Sequence, residues 1–286
     1  MKKFSSIIFP LIFSSFPVIG QLTSSFLTPE DSKNVLIKVK QLNQFFNRFN
    51  NCEDLLTGEQ KSDSLIKQQR ENLSQFELAR KRVLFTLFNH KDSTTLKRKD
   101  IVDFINFVSV DSNKVKLSYY DRDWFATVKC QMKLYDKNIT ISLVLKNIGN
   151  IQSGYRWIIQ SLKSDLKYES STIRDSLKFI SPMNHELGFM DLYNVFNDPK
   201  SIMHYVGKKM DSDQSGAMLF LIQAGLLKYE KIEAVRYHFL QVDGWTFTVE
   251  DFNRSDKNSG WLISDLTRNT SEQKEIYKRK IYFTEP

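Results

Sequence analysis

The feature that most restricts the fold of this chain is an internal repeat of alternating apolar and polar residues. Residues 114–163 and 231–267 each contain several such runs, separated by polar turns, with a tryptophan late in each copy. The aligned apolar positions are Val128 with Val235, Cys130 with Tyr237, and Met132 with Phe239. Because a period of two is typical of strands with one buried face, the repeat predicts two meanders of antiparallel strands.

Helical patterns precede the strands in both halves of the chain. In residues 28–50, apolar side chains recur every three or four positions, which predicts a helix with one buried face. Further helices are predicted at residues 74–89, 97–107, 172–180, 185–196 and 198–209, with a polar loop at residues 211–216. The apolar residues 217–227 favour a strand, and residues 281–283 are a candidate edge strand. Helices segregated from an antiparallel sheet define the α+β class.

This order of elements resembles the NTF2-like superfamily of cone-shaped α+β proteins, in which helices pack into the hollow of a strongly curved sheet. The resemblance extends over residues 28–267 and rests on element order, including the late tryptophans Trp157 and Trp261. It implies two tandem domains, each with N-terminal helices on a curved antiparallel β-sheet. The polar residues 163–171 place their boundary between residues 21–168 and residues 169–286. The superfamily includes isomerases, dehydratases and noncatalytic binding modules, so the resemblance implies no single function.

The first twenty residues have the pattern of a secretory signal peptide. Lys2 and Lys3 precede a short apolar run, and Gly20 lies where cleavage is expected. The run contains two prolines and is shorter than the ~20 apolar residues that a spanning helix needs. The alternative is a retained membrane anchor. Residues 1–20 therefore predict an extracytoplasmic protein, periplasmic or secreted, with no membrane span after cleavage.

Charge and motif content exclude several classes of function. The formal net charge is +8, but the basic residues are spread along the chain, which argues against a nucleic-acid partner. No phosphate-binding loop, dinucleotide fingerprint or nucleophile elbow is present, so no cofactor is predicted. A weak attraction to acidic polymers or to anionic surfaces remains compatible with the charge.

The sequence predicts no metal site. His185-Glu186 lacks the second histidine that a zinc-protease helix requires four residues later. Residues 211–216 imitate the start of a calcium loop, but its twelfth position is Ile222 instead of glutamate. The two cysteines, Cys52 and Cys130, either form a disulfide in an oxidising compartment or are separate free thiols.

The candidate catalytic residues are Asp121, Asp123 and Tyr119, which lie beside Trp124. An NTF2-like enzyme would place an aspartate and a tyrosine inside the cone, where burial raises the pKa of a carboxyl group. The alternative is that residues 121–123 are a solvated connection between strands.

The candidate ligand-binding residues are the tryptophans Trp124, Trp157 and Trp261. Core packing is the alternative explanation for them.

The leading hypothesis from the sequence is an exported, noncatalytic protein that binds a small ligand or another extracytoplasmic protein. The first alternative is an enzyme that uses a buried carboxylate for acid–base chemistry. The second is a structural component of a surface or secretion assembly.

Overall fold

The computed structural model of the chain describes residues 38–55, 57–92, 94–150, 154–164, 180, 182–198, 202, 205–206, 212–255 and 258–282. Within these residues the protein is α+β, with seven α-helices and one six-stranded antiparallel sheet that curls into a half-barrel. The helices are α1 (Leu42–Phe49), α2 (Asp63–Glu71), α3 (Leu73–Phe85), α4 (Arg98–Ser109), α5 (Leu192–Asn197), α6 (Ser212–Gln223) and α7 (Ser271–Ile281). The strands are β1 (Trp124–Leu134), β2 (Lys137–Asn150), β3 (Gly154–Lys163), β4 (Leu227–Phe239), β5 (Trp245–Phe252) and β6 (Gly260–Arg268). Short 3₁₀ helices lie at Asp111–Asn113 and Pro182–Leu187.

The two repeat copies form two three-stranded meanders that join in one sheet, with strand order β3-β2-β1-β4-β5-β6. The junction is an antiparallel pair of β1 and β4, the first strands of the two copies. Val128 lies directly opposite Val235, its counterpart in the repeat, and Ala126 lies opposite Tyr237. This antiparallel pairing relates the two copies by an approximate local two-fold axis, which passes through the pair of valines.

Two separate tandem domains are not confirmed. The hydrophobic core contains residues of both halves, including Trp124 and Trp157 from the first and Tyr237 and Phe247 from the second. The predicted boundary after residue 168 lies outside the described residues.

Helix α1 packs into the hollow of the sheet. Its apolar residues Leu42, Phe45, Phe46 and Phe49 are almost completely buried. Phe45 contacts the rings of both Phe239 and Phe247, at centroid distances of 5.9 and 6.4 Å. The three-and-four spacing in the sequence thus corresponds to a helical face that closes the inner side of the half-barrel.

Other segments of the chain bind both edges of the sheet. At the β6 edge, the Trp261 N–H donates to the Val39 carbonyl at 2.9 Å, and the Ile263 N–H donates to the Leu87 carbonyl at 2.7 Å. Gly260 permits this approach because its φ is +89° and a Cβ there would lie 1.9 Å from the Val39 oxygen. At the β3 edge, the Trp157 N–H donates to the Ile180 carbonyl at 3.0 Å. These contacts cover edges that would otherwise pair with other chains.

The outer face of the sheet carries α7 at one end. Tyr277, Ile281 and Tyr282 pack on a small apolar cluster made by Phe125, Val144 and Leu240. The Lys274 Nζ also donates to the carbonyls of Leu240 and Val242, at 2.7 and 2.6 Å.

Two strand predictions were wrong. Residues 217–227 are mostly helical, because α6 runs to Gln223 and β4 begins only at Leu227. The predicted loop at residues 211–216 is largely the first part of α6. The predicted edge strand at residues 281–283 is replaced by the end of α7, and residue 283 lies outside the described residues. Thr270 and Gln273 form a capping box that begins this helix.

Several helix predictions need new boundaries. Residues 185–196 are divided between the 3₁₀ helix and α5, because Gly188 and Phe189 have positive φ angles of 58° and 61°. The polar residues 51–71 favour a loop with a helical turn at residues 64–66, but residues 63–71 form the whole of α2, with Ser62 as its N-cap. The predicted helix start at residue 28 and the predicted helix at 172–180, except Ile180, lie outside the described residues, as does much of 198–209.

Candidate functional site

The inner face of the sheet is filled by aromatic side chains of the protein itself. Trp124 and Trp157 are fully buried and meet edge to face, with ring centroids 4.8 Å apart. Trp124 also stacks on Phe239 at 5.5 Å. The predicted ligand residues Trp124 and Trp157 are therefore packing residues of the core. Trp261 is partly buried and lies beside Tyr237, at 5.1 Å.

Tyr119 lies at the edge of this aromatic cluster. Its ring stacks on Phe46 at 3.8 Å and on His185 at 4.8 Å. Its carbonyl accepts hydrogen bonds from Trp124 Nε1 at 3.0 Å and from Asn147 Nδ2 at 2.8 Å. Its hydroxyl is buried and has no hydrogen-bond partner among the described residues.

Burial, assisted by the charge of Glu186, raises the pKa of Tyr119 well above its ordinary value. The phenol therefore stays protonated at neutral pH and cannot act as a base. The same holds for Tyr237, whose pKa is raised by complete burial and whose hydroxyl donates to the His185 carbonyl at 2.8 Å.

Asp121 and Asp123 have structural partners near the surface. The Asp121 Oδ1 accepts a hydrogen bond from the Asp123 backbone N–H at 2.7 Å. The Asp123 Oδ1 lies 2.7 Å from Lys278 Nζ on α7, and the Asp123 side chain is 48% exposed. The structure thus does not bring a buried carboxylate from this pair to Tyr119 or Trp124.

Neither cysteine forms a disulfide in this structure. Cys130 is fully buried on the inner side of β1, and Cys52 is partly buried. Burial raises the pKa of the Cys130 thiol to about 12, with a smaller contribution from Glu233. A thiol in this environment is a packing group with little nucleophilic character.

The described histidines have structural surroundings. His90 Nε2 lies 2.7 Å from the Phe85 carbonyl oxygen, and burial lowers the pKa of His90 to about 4. His238 is fully buried beneath α7, and burial, with the charge of Arg236, lowers its pKa to about 3. No group of three or more His, Cys, Asp or Glu side chains suited to a metal occurs in the described part of the chain. His204 lies outside it.

Sequence reasoning missed an exposed apolar segment. Met183, Leu187, Met190 and Tyr193, which we call the apolar segment, are 57%, 59%, 68% and 57% exposed. The repeated three- and four-residue spacing of these side chains was the available signal, but the sequence predicted only a helix at residues 185–196, without indicating which of its faces is exposed.

The positions of two residues explain this exposure. Phe189 is fully buried, and its ring meets Trp157 at 5.1 Å. Its positive φ reverses the chain at this point. The Asn184 side chain bonds both the backbone and the carboxylate of Asp191, which closes the turn. Phe189 therefore holds the segment to the core while its neighbours face outward.

None of the helices in the ranges described above is both long and apolar enough to cross a membrane.

No protein-family model, curated protein or solved structure matches this chain.

Proposed function

We propose that this protein is an exported, noncatalytic interaction protein that binds another extracytoplasmic protein through the apolar segment. The proposal includes removal of residues 1–20 as a signal peptide. It also includes the relationship of each repeat copy to NTF2-like domains.

The observation that carries the proposal is the exposure of four large apolar side chains within one short segment. Exposed apolar side chains that are scattered singly are normal, whereas a group of them marks an interaction site. Methionine suits such surfaces because its unbranched side chain adapts to different partners. The contacts of Phe189 with Trp157 and of Asn184 with Asp191 restrain the segment, which lowers the entropy lost on binding.

The contacts of the interior support binding at the surface. Trp124 and Trp157, the residues that would line a cone, contact each other and other aromatic rings and are closed off from solvent. The enzyme alternative requires a buried carboxylate, and its two named candidates have backbone and lysine partners instead.

The experiment is cross-linking in the native host with affinity-tagged full-length protein. The test variant replaces the apolar segment with Met183→Gln, Leu187→Gln, Met190→Gln and Tyr193→Ser. The control replaces four other exposed apolar residues, which lie outside this segment, with Leu65→Gln, Leu73→Gln, Leu78→Gln and Ile276→Gln. We expect one discrete cross-linked protein with the wild type and the control, and its loss with the test variant. The same product with all three proteins, or none with the wild type, would contradict the proposal.

A further inference from the structure

At the end that α7 leaves uncovered, the outer face of the sheet carries a basic surface whose lysines form no ion pair with the described residues. It consists of Lys129 and Lys133 on β1 and Lys228 and Lys231 on β4, which we call the lysine face. Lys129, Lys228 and Lys231 are exposed, and Lys133 is partly buried. Cys130 and Met132, which alternate with the β1 lysines, are fully buried in the core. Because side chains alternate along a strand, the β1 lysines lie on the outer side.

The strand register brings these four lysines together. Lys133 is directly opposite Lys228, and Lys231 is opposite Gln131, which lies between the two β1 lysines. With a rise of about 3.3 Å per residue and about 4.8 Å between strands, the four Cα atoms fall within roughly 15 Å. Like charges directly opposite each other destabilise a sheet, so the pair of Lys133 and Lys228 opposes folding.

Within the described part of the chain, the charges of the lysine face have no neutralising partner. None of the four lysines forms an ion pair with any residue that the structure describes. Glu230 and Glu233 lie at the two register shifts between β4 and β1 and likewise form no ion pair within the described ranges. By contrast, at the covered end Arg236 contacts Glu250 at 2.8 Å and Lys278 contacts Asp123 at 2.7 Å.

An exposed tyrosine projects from the hairpin at this end of the sheet. Tyr135 follows β1, two residues after Lys133, and is 72% exposed. It has a φ of +52°, a conformation that tyrosine rarely adopts. Asparagine adopts this conformation more readily, so packing within the protein does not explain the choice of tyrosine here.

We propose that the lysine face and Tyr135 form a docking surface for an anionic lipid bilayer. Lysines near an anionic membrane are attracted by its surface potential, and their aliphatic stems tolerate the interface. Tyrosine is enriched at membrane interfaces because its ring is apolar and its hydroxyl is polar. All four charges are lysine ammonium groups, which lack the planar guanidinium with which arginine binds a phosphate through two hydrogen bonds. They therefore suit a diffuse anionic surface better than a single bound anion.

The test is binding of the protein, in the processed form that its host produces, to lipid vesicles. Vesicles of phosphatidylcholine alone are compared with vesicles that contain about a third phosphatidylglycerol. The measured quantity is the ratio of the two partition coefficients, which removes any binding that does not depend on lipid charge. The test variant replaces all four lysines of the lysine face by glutamine. The matched control makes the same charge change at exposed lysines elsewhere, with Lys67→Gln, Lys97→Gln, Lys99→Gln and Lys116→Gln.

We expect the ratio to fall at least ~30-fold in the test variant and less than ~3-fold in the control. A variant with four arginines on the lysine face should retain the ratio, which guards against misfolding of the glutamine variant. Tyr135→Asn, which suits the positive φ, should lower binding to the anionic vesicles by ~3-fold or more while leaving the fold intact.

Three results would overturn the proposal. An equal fall in test and control variants, or a wild-type ratio near one, would show that this surface has no special affinity for anionic lipid. If soluble polyglutamate binds the lysine face as tightly as the anionic vesicles do, and Tyr135→Asn changes neither, the surface binds linear polyanions instead.

Discussion

Acidification between pH 7 and pH 5 is expected to destabilise this protein through two buried histidines. In the folded state the pKa of His238 is about 3 and that of His90 is about 4, both lowered from 6.5 mainly by burial. The unfolded chain therefore binds more protons than the folded chain below pH 6.5. Stability falls as the pH falls through that value, and the loss continues until each folded pKa is reached.

The magnitude follows from the size of the two shifts. Each pH unit below 6.5 costs about 1.4 kcal/mol for each histidine that stays neutral only when folded. At pH 5, the fully buried His238 accounts for about 2 kcal/mol, and the partly exposed His90 for about 1–2 kcal/mol. Since small folded domains have a total stability of about 5–15 kcal/mol, the loss is readily measurable.

The assay is urea unfolding followed by tryptophan fluorescence at several pH values from 7.5 to 4.5. His238→Gln and His90→Gln remove one titrating group each, and the double variant removes both. The amide introduced by His238→Gln retains a side-chain donor and acceptor for Thr127 and Tyr277, which contact the His238 ring at 2.9 and 2.6 Å. We expect each single variant to lower the dependence of unfolding free energy on pH and the double variant to lower it most. A double variant with the wild-type pH slope would refute the reasoning, whatever its stability at pH 7.5.

Three further predictions follow from single contacts. Gly260→Ala should destabilise the protein by about 2–4 kcal/mol, because the new Cβ would collide with the Val39 carbonyl. Gly244→Ala should cost about 1 kcal/mol, because Gly244 also has a positive φ but has open space around it. Urea unfolding of both variants compares the two costs. Tyr119→Phe should leave stability unchanged or raise it by up to about 1 kcal/mol, since the buried hydroxyl that it removes has no partner among the described residues. A clear loss of stability in urea unfolding would contradict this. A disulfide reagent at pH 8 should modify Cys52 faster than Cys130, because the Cys130 thiol is buried and its pKa is raised to about 12. Mass spectrometry measures both rates, and equal rates in the folded protein would contradict this prediction.

Local patterns predicted much of the fold. The three-and-four spacing of Leu42, Phe46 and Phe49 identified α1, because a helix that buries one face needs this period. Alternation identified the strand regions, and the class was correctly predicted as α+β. The apolar residues 217–227 were misread because a buried helix and a buried strand share the same composition.

The joining of the two meanders could not be read from local patterns. Pairing of β1 with β4 is a contact between residues far apart in sequence, and the repeat alone is equally compatible with two independent sheets. The surroundings of Asp121 and Asp123 could not be predicted for a related reason. Asp123 pairs with Lys278 on α7, a helix that lies in the charged C-terminal tail, where the sequence predicted only an edge strand at residues 281–283.

The central strand pair also determines how this chain reaches its native state. Four of the five strand pairings are between neighbours along the chain, but β1 and β4 are joined across roughly a hundred residues. Closing so long a loop costs conformational entropy before any contact between the halves offsets it. The two meanders should therefore form first as separate local structures, and the docking of Val128 against Val235 should limit the folding rate. Until that step, the inner strand of each meander exposes an unpaired edge, so molecules folding side by side can exchange meanders across the same local two-fold axis.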